Sequence, residues 1–300
     1  MTNEENIICP NCNSKKSMLL FDETVNIKDI FQKSDYNVTE TGTGLFGNIY
    51  KCLDCDFRYI NRTETENVLL DHYKNQPLDP NYLKGEKPRR KSFGKILERL
   101  EKIRKTNTGE ILDIGCGVGF FLAEADRRGY KPFGIELSTK QVAYARDKFN
   151  LKNVEQGDIT DFDKIFKDKK FDVITAFDVL EHIENFKVFF DKIHSHLKPN
   201  GIVIMTIPMI DSPGARLMGK KWHALLPSHI NYFTKKSLEN VYSSFGFTLE
   251  KEKWYTRYLY VSDLLGRILK NQNLPWLIFF DFAVAVNVFD EIEIYLRKKD

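Results

Sequence analysis

The sequence predicts an α/β fold, a mostly parallel sheet with helices on both faces, preceded by a small cysteine-bearing unit. Three observations carry this. An apolar strand runs into a glycine-rich turn at 110–119, strand and helix signals alternate from 110 to 207, and two Cys-x-x-Cys pairs lie within the first 55 residues.

In chain order, residues 1–60 read as a compact front unit with a polar, strand-like middle and an alternating strand at 56–60. Residues 61–90, with Pro77, Pro80, Gly85 and Pro88 among polar neighbours, read as a connector, and 93–103 shows helical apolar spacing. Strands are then expected at 110–114, 132–136, 153–155, 171–176 and 202–207, and helices at 119–128, 139–149, 161–166 and 186–197. A helix at 235–245 and strands at 247–254 and 291–296 complete the unit that begins at residue 91 and runs to 300. Two insertions interrupt it. The first, 209–233, follows the fifth strand and emerges at the sheet edge where ligands bind in such folds; the second, 258–289, reads as two helices, 259–269 and 276–288. The aromatic and aliphatic content of the second suits a packed cap, a dimer surface or a membrane-surface contact.

Composition narrows the partners. Three hundred residues with 42% hydrophobic content can bury a large core and suggest two domains. A net charge of +3 gives no electrostatic case for tight nucleic-acid binding, and the basic run 84–91 reads as a solvated connector. The acidic first residues carry no apolar signal segment, so a cytoplasmic protein is expected. The longest apolar stretch, 274–289, is broken by Asp281 and Asn287 and is too short to span a bilayer.

Four of the five cysteines form the pairs Cys9/Cys12 and Cys52/Cys55. Two such knuckles can bring four thiolates to one tetrahedral zinc, and the arrangement resembles a zinc ribbon. A redox role is the competing reading, but neither pair has the strand-and-helix setting of a thioredoxin-like site. So small a unit cannot build a sufficient core, so the expected Zn2+ is structural, and the ribbon is also a candidate for recognising the acceptor.

The glycine turn carries the chemistry. Ile111, Leu112 and Ile114 form the strand; Gly115, Gly117 and Gly119 let the backbone turn sharply and approach a ligand that faces the amides of the helix from Phe120. Glu136 ends the next strand, placed to accept hydrogen bonds from two ribose hydroxyls. In the dinucleotide fingerprint the third glycine falls three residues after the second, but that position is Phe120 here and the third glycine is Gly119. Asp113, two residues before the first glycine, would repel a pyrophosphate and attract the ammonium of a methionine moiety. Asp158, between Gly157 and Ile159, follows the third strand, where an acid meets the exocyclic amine of adenine. In these residues the chain resembles the class I S-adenosylmethionine-dependent methyltransferases, with Asp113 to Gly119 as first motif, Glu136 as second and Asp158 as third. The resemblance covers about 91–256 plus the final strand. It implies a Rossmann-like seven-stranded sheet, S-adenosyl-L-methionine as cofactor, and cofactor contacts at Asp113, Gly115, Gly117, Gly119, Glu136, Asp158, Ile159 and Phe177.

An alcohol acceptor also needs a base. Asp178, Glu181 and His182 follow the fourth strand, and His223 and His229 lie in the first insertion. Trp222, Pro227, His229 and Phe233 resemble a Trp, Pro-x-His, Phe signature of a broad methyltransferase group that includes many sugar and polysaccharide enzymes. On that resemblance His229 is the first candidate for the base and His182 the second, since imidazole titrates near working pH; ordering of the loop is the bland alternative for each. Asp178, Glu181, His182 and His229 also loosely resemble the metal-ligand set of the small-RNA 2′-O-methyltransferases, although the first position there is Glu. No Asn/Asp-Pro-Pro-Tyr follows the fourth strand, and no spare cysteine is placed for pyrimidine chemistry, Cys116 being a packing residue of the turn. The reading is O-methylation of a sugar, glycan or other small-metabolite hydroxyl. Its competitors are an RNA methyltransferase that docks through the ribbon and a non-catalytic cofactor-sensing or partner-binding module.

Overall fold

A computed structural model describes residues 7–26, 45–61, 73–269 and 282–299. The front unit contributes β1 (Ser17–Phe21), β2 (Ile49–Cys52) and β3 (Arg58–Ile60). Two helices follow, α1 (Pro80–Lys84) and α2 (Glu86–Arg104), and then β4 (Gly109–Ile114), α3 (Phe120–Arg127), β5 (Tyr130–Glu136), α4 (Thr139–Phe149) and β6 (Val154–Gln156). The second half runs α5 (Phe162–Phe166), β7 (Phe171–Phe177), α6 (Phe186–His196), β8 (Leu197–Pro208), α7 (Pro213–Met218), β9 (Asn231–Tyr232), α8 (Lys235–Ser244) and β10 (Phe247–Trp254). It closes with β11 (Arg257–Tyr260), α9 (Val261–Leu269), β12 (Ala283–Val286) and β13 (Glu291–Lys298).

Seven strands form the main sheet in the order β10-β13-β8-β7-β4-β5-β6, parallel except for β13, which runs antiparallel to both of its neighbours. Alternating side chains divide its two faces. Leu112, Ile174, Val203 and Met205 enter one core, while Ile111, Val173, Ile202 and Ile204 enter the core on the other face. Helix α2 lies over the second face, where Arg99 makes a two-pronged ion pair with the buried Glu293 of β13, at 2.6 and 2.5 Å. Side-chain caps mark where helices start: Ser138 Oγ accepts from Gln141 N for α4, Asn185 Oδ1 from Val188 N for α6, and Thr234 with Ser237 closes a capping box on α8.

Two elements differ from expectation. Helix α2 starts at Glu86 rather than 93, so the basic run folds into its first turns, with Pro88 still early enough to be tolerated. Its charges have partners inside the chain: Arg89 lies 3.9 Å over the Tyr82 ring, Arg90 reaches Glu86 and Glu124, and Lys91 sits over Tyr258. In the second insertion the helix over Val261–Leu269 is present, but Ala283–Val286, expected inside a helix, is a strand pairing antiparallel with Arg257–Tyr260. Its alternating Val side chains prefer a pleated backbone, a choice that apolar content alone does not make. The first part of that expected helix, 276–281, lies outside the described residues.

The front unit is not sealed off from the rest. Its sheet has the order β1-β2-β3-β9, so the fourth strand comes from the first insertion. Cys9, Cys52, Phe57 and Tyr59 share one continuous core with Phe186, Phe189 and Phe233.

Candidate active site

The glycine turn joins β4 to α3. Gly115, Gly117 and Gly119 have φ of 68°, 54° and 83°, the left-handed region that side chains disfavour. A Cβ on Gly115 would lie 2.9 Å from Val179 Cγ2, and one on Gly119 2.8 Å from Leu151 and 3.0 Å from Ala145 Cβ, so these positions are closed to larger residues on two counts. Glu136 ends β5 with its carboxylate facing the turn: one oxygen accepts from Gly117 N and the other from Ser138 N, both at 2.9 Å. Burial raises its pKa, while these amides pull it back.

Asp113 lies beneath the turn rather than in the open. It is buried, Thr175 Oγ1 donates to it at 2.6 Å, and burial raises its carboxyl to about 8. Asp158 caps the short turn that follows, accepting from the Thr160 amide, with Ile159 half-buried beside it. Phe177 ends β7 and packs edge-on against Phe121, 4.8 Å between centroids, with Phe93 at 5.3 Å. The ends of β4, β5 and β7 and the turns after β4 and β6 thus place Asp113, the three glycines, Glu136, Asp158, Ile159 and Phe177 along the carboxyl edge of β4 to β7.

The described end of the connector, 73–84, crosses this edge. Ser138 Oγ donates to Gln76 O, Gln141 Nε2 to Gln76 Oε1, and the Tyr82 ring stacks on Phe120 at 5.6 Å with an interplanar angle of 2°. At its other end the Tyr73 hydroxyl lies 3.0 Å from His182 Nδ1. Composition marked this segment as a spacer, and nothing in it signalled a cover; Tyr73, Gln76 and Tyr82 are visible only in three dimensions.

The second cluster sits beside Gly115, past Val179. His182 and His229 are brought together, ring centroids 4.7 Å apart. His182 Nδ1 donates to Ser228 O at 2.7 Å, which leaves Nε2 with its lone pair. His229 hydrogen-bonds the backbone of Ala224, while its Nδ1 is buried with no hydrogen-bond partner. Burial lowers the pKa of both rings, that of His229 further, so both are neutral bases near pH 7. Glu181 joins them: its ligand atom and theirs lie within 4.8 Å of one another, burial raises its pKa well above the carboxylate range, and its Oε2 has no hydrogen-bond partner. His223 is kept apart, paired with Asp290 at 3.2 Å.

Asp178 closes the site. It is left-handed, φ 54°, and Thr206 Oγ1 donates to its carboxylate at 2.8 Å. Arg257 reaches both Asp178, at 3.4 Å, and Glu291, at closer range. Arg257 and Glu291 were missed in the sequence because each lies next to the second insertion, with no motif around it.

At the front unit the four sulfurs gather. Cys9 Sγ to Cys55 Sγ and Cys12 Sγ to Cys52 Sγ are both 3.6 Å, and all four lie within 4.8 Å of one another. That is far beyond a disulfide and close to the roughly 3.8 Å edge of a tetrahedron with Zn–S bonds of about 2.3 Å. Asn13 and Asp56, each following the second cysteine of its pair, are left-handed and turn the chain back so that Asn13 N meets Cys9 O and Asp56 N meets Cys52 O.

A family model described as a methyltransferase domain matches residues 86–252. Among curated proteins, a ubiquinone biosynthesis O-methyltransferase from Rickettsia conorii is 33% identical over 101 residues, 32% of this chain and 34% of the relative. One of the same name from Rickettsia prowazekii is 34% identical over 131 residues, 38% of this chain and 50% of the relative. The chain therefore spans between a third and a half of these relatives. Among solved structures, an S-adenosylmethionine-dependent methyltransferase from Thermotoga maritima aligns with a TM-score of 0.50 at 17% identity, covering 73% of this chain and 94% of that one, a likeness of fold.

Proposed function

The chain belongs to the S-adenosylmethionine-dependent methyltransferases, and from that premise we propose that it methylates a hydroxyl group of a sugar, glycan or other small metabolite. The observation that carries this is the pair of neutral imidazoles, His182 and His229, at the sheet edge beside the glycine turn. The O-methyltransferase names of the curated relatives support an oxygen acceptor.

In this reading Gly115, Gly117 and Gly119 let the backbone approach the cofactor, Glu136 uses its remaining lone pairs for the ribose hydroxyls, and Asp158 and Ile159 meet the adenine. Asp113, bonded to Thr175 and kept protonated by burial until about pH 8, underlies the amino-acid end, and Phe177 closes the apolar wall. When bound, the cofactor supplies an electrophilic methyl on a sulfonium, open to in-line displacement by an oxygen about 3 Å away. His229 Nδ1 takes the acceptor's proton, and His182, fixed by Ser228, stands as the alternative base through Nε2. Because both rings are held neutral, turnover is expected to be level above about pH 7 and to fall only below the ordinary imidazole range near 6.5. Incubation with methyl-labelled cofactor and fractionated extract identifies the acceptor. Label confined to an RNA or protein fraction would overturn the small-molecule reading.

The sulfur spacing supports structural Zn2+ at Cys9, Cys12, Cys52 and Cys55, with no open position for substrate. A second reading, in which His182 and His229 would hold a divalent cation instead of acting as bases, is favoured by one observation: Glu181 Oε2 and His229 Nδ1 are both buried without a hydrogen-bond partner, and the ligand atoms of Glu181, His182 and His229 lie within 4.8 Å of one another. Elemental analysis separates the two cases, one metal per chain for the ribbon alone and two if both sites fill.

A further inference from the structure

Segment 228–234 carries His229 and is held from two sides. On one side lies the turn that bears His182: Ile230 N donates to Glu181 O at 3.0 Å, and Asn231 Nδ2 donates to Leu180 O and Ile183 O at 3.2 and 2.7 Å. On the other lies the ribbon. Ile60 N donates to Ile230 O at 3.0 Å, Tyr232 and Asn231 pair with Arg58 and Tyr59, and Thr234 Oγ1 reaches Asp56, the residue after Cys55, at 3.4 Å. Packing repeats the pattern: Phe57 meets Phe186 and Phe233 at 5.6 and 5.3 Å, and Trp222 shares a core with Phe46, Ile49 and Ile60.

A strand of two residues, Asn231–Tyr232, has no stability of its own; its geometry is lent by the strand it pairs with. That partner, β3, follows directly on the second cysteine knuckle, in a unit too small to fold on its apolar core alone. We propose that the ribbon is a wall of the active site: the metal-loaded knuckles and Asn231 together position His229, so that metal occupancy sets the rate of methyl transfer while leaving cofactor affinity unchanged. Asn231 is thus a positioning residue, and the ribbon does more than recognise an acceptor. The rate clause rests on the reading of His229 as base; the structural clause stands without it.

The full-length chain tests this in three measurements: turnover, cofactor affinity by calorimetry, and amide exchange across 228–232. Stripping the metal with a chelator is expected to speed exchange at Ile230 at least tenfold and lower turnover by a similar factor, with the cofactor Kd within twofold. Phe57→Leu keeps all four cysteines and thins only the ribbon contact. It is expected to retain metal, raise exchange in 228–232 about threefold to tenfold, and lower kcat without moving the KM for the cofactor. Unchanged exchange in both the stripped protein and Phe57→Leu overturns the proposal. So does loss of cofactor affinity in parallel with turnover in Phe57→Leu, which would mean general loosening. If His229→Ala keeps full turnover while exchange still answers to the metal, the base assignment fails and the positioning of the segment survives.

Discussion

The two halves of the sheet edge are assembled on different length scales. Around the glycine turn, the contacts of Glu136 are local, to Gly117 across 19 residues and to Ser138 across two, and the longest hydrogen bond, from Gln141 to Gln76, spans 65. Around His229 they are long: Tyr73 to His182 spans 109 residues, Arg257 to Asp178 spans 79, and Thr234 to Asp56 spans 178. A site made from one β-α-β stretch can be specified by a motif. One gathered from five separate segments leaves no such motif, and its parts can vary while the glycine turn stays intact.

If the halves are as separable as this, substitutions should divide cleanly between turnover and cofactor affinity. The largest effect is expected at His229→Ala, where kcat should fall by about 10²- to 10⁴-fold, the usual range for a general base, with cofactor affinity unchanged by calorimetry. A parallel loss of affinity would erase the distinction. Next, Glu136→Ala should weaken cofactor binding about 10- to 100-fold, as expected when charge-assisted hydrogen bonds worth about 1.5–3 kcal/mol are removed, while kcat at saturating cofactor holds.

Asp113→Asn sharpens the comparison through stability. Burial raises the folded carboxyl to about 8, so the folded chain keeps a proton that the unfolded chain releases near pH 4. Its contribution to stability is therefore present in acid and declines as pH rises from about 4 to about 8, by at most about 1.4 kcal/mol per pH unit. Denaturant unfolding of Asp113→Asn across that window should give a flatter profile than the parent; an identical slope would mean that Asp113 is ionised in the fold. The smallest effect is expected at Tyr73→Phe. Losing one hydrogen bond to His182, worth about 0.5–1.5 kcal/mol, should lower kcat about two- to tenfold and leave the KM for the cofactor in place.

The same contrast explains what the sequence disclosed. Strands β4, β5 and β7, the glycine turn and Glu136 were legible because buried parallel strands are short apolar runs and because left-handed turns between them require glycine. The cysteine pairs were legible because four sulfurs gathered at one point show in the sequence as two fixed Cys-x-x-Cys spacings. His182 and His229 could be named but not joined; their proximity depends on β9 pairing with β3 and on Asn231, whose role is to bond carbonyls of a distant turn. The cover formed by Tyr73 to Tyr82 left no periodic trace, since it packs through single aromatic and amide contacts. The strand at Ala283–Val286 was read as helix because apolar content rises there regardless of backbone shape.

The order of the chain gives the shared sheet one more meaning. Both cysteine knuckles precede residues 231 and 232 by more than 170 positions, so the outer edge of β3 is covered only once the first insertion is in place. Without β9, β3 would present an unpaired edge, the kind that invites pairing with a neighbouring chain. The first insertion thus places His229 and covers this edge through the same two residues, Asn231 and Tyr232.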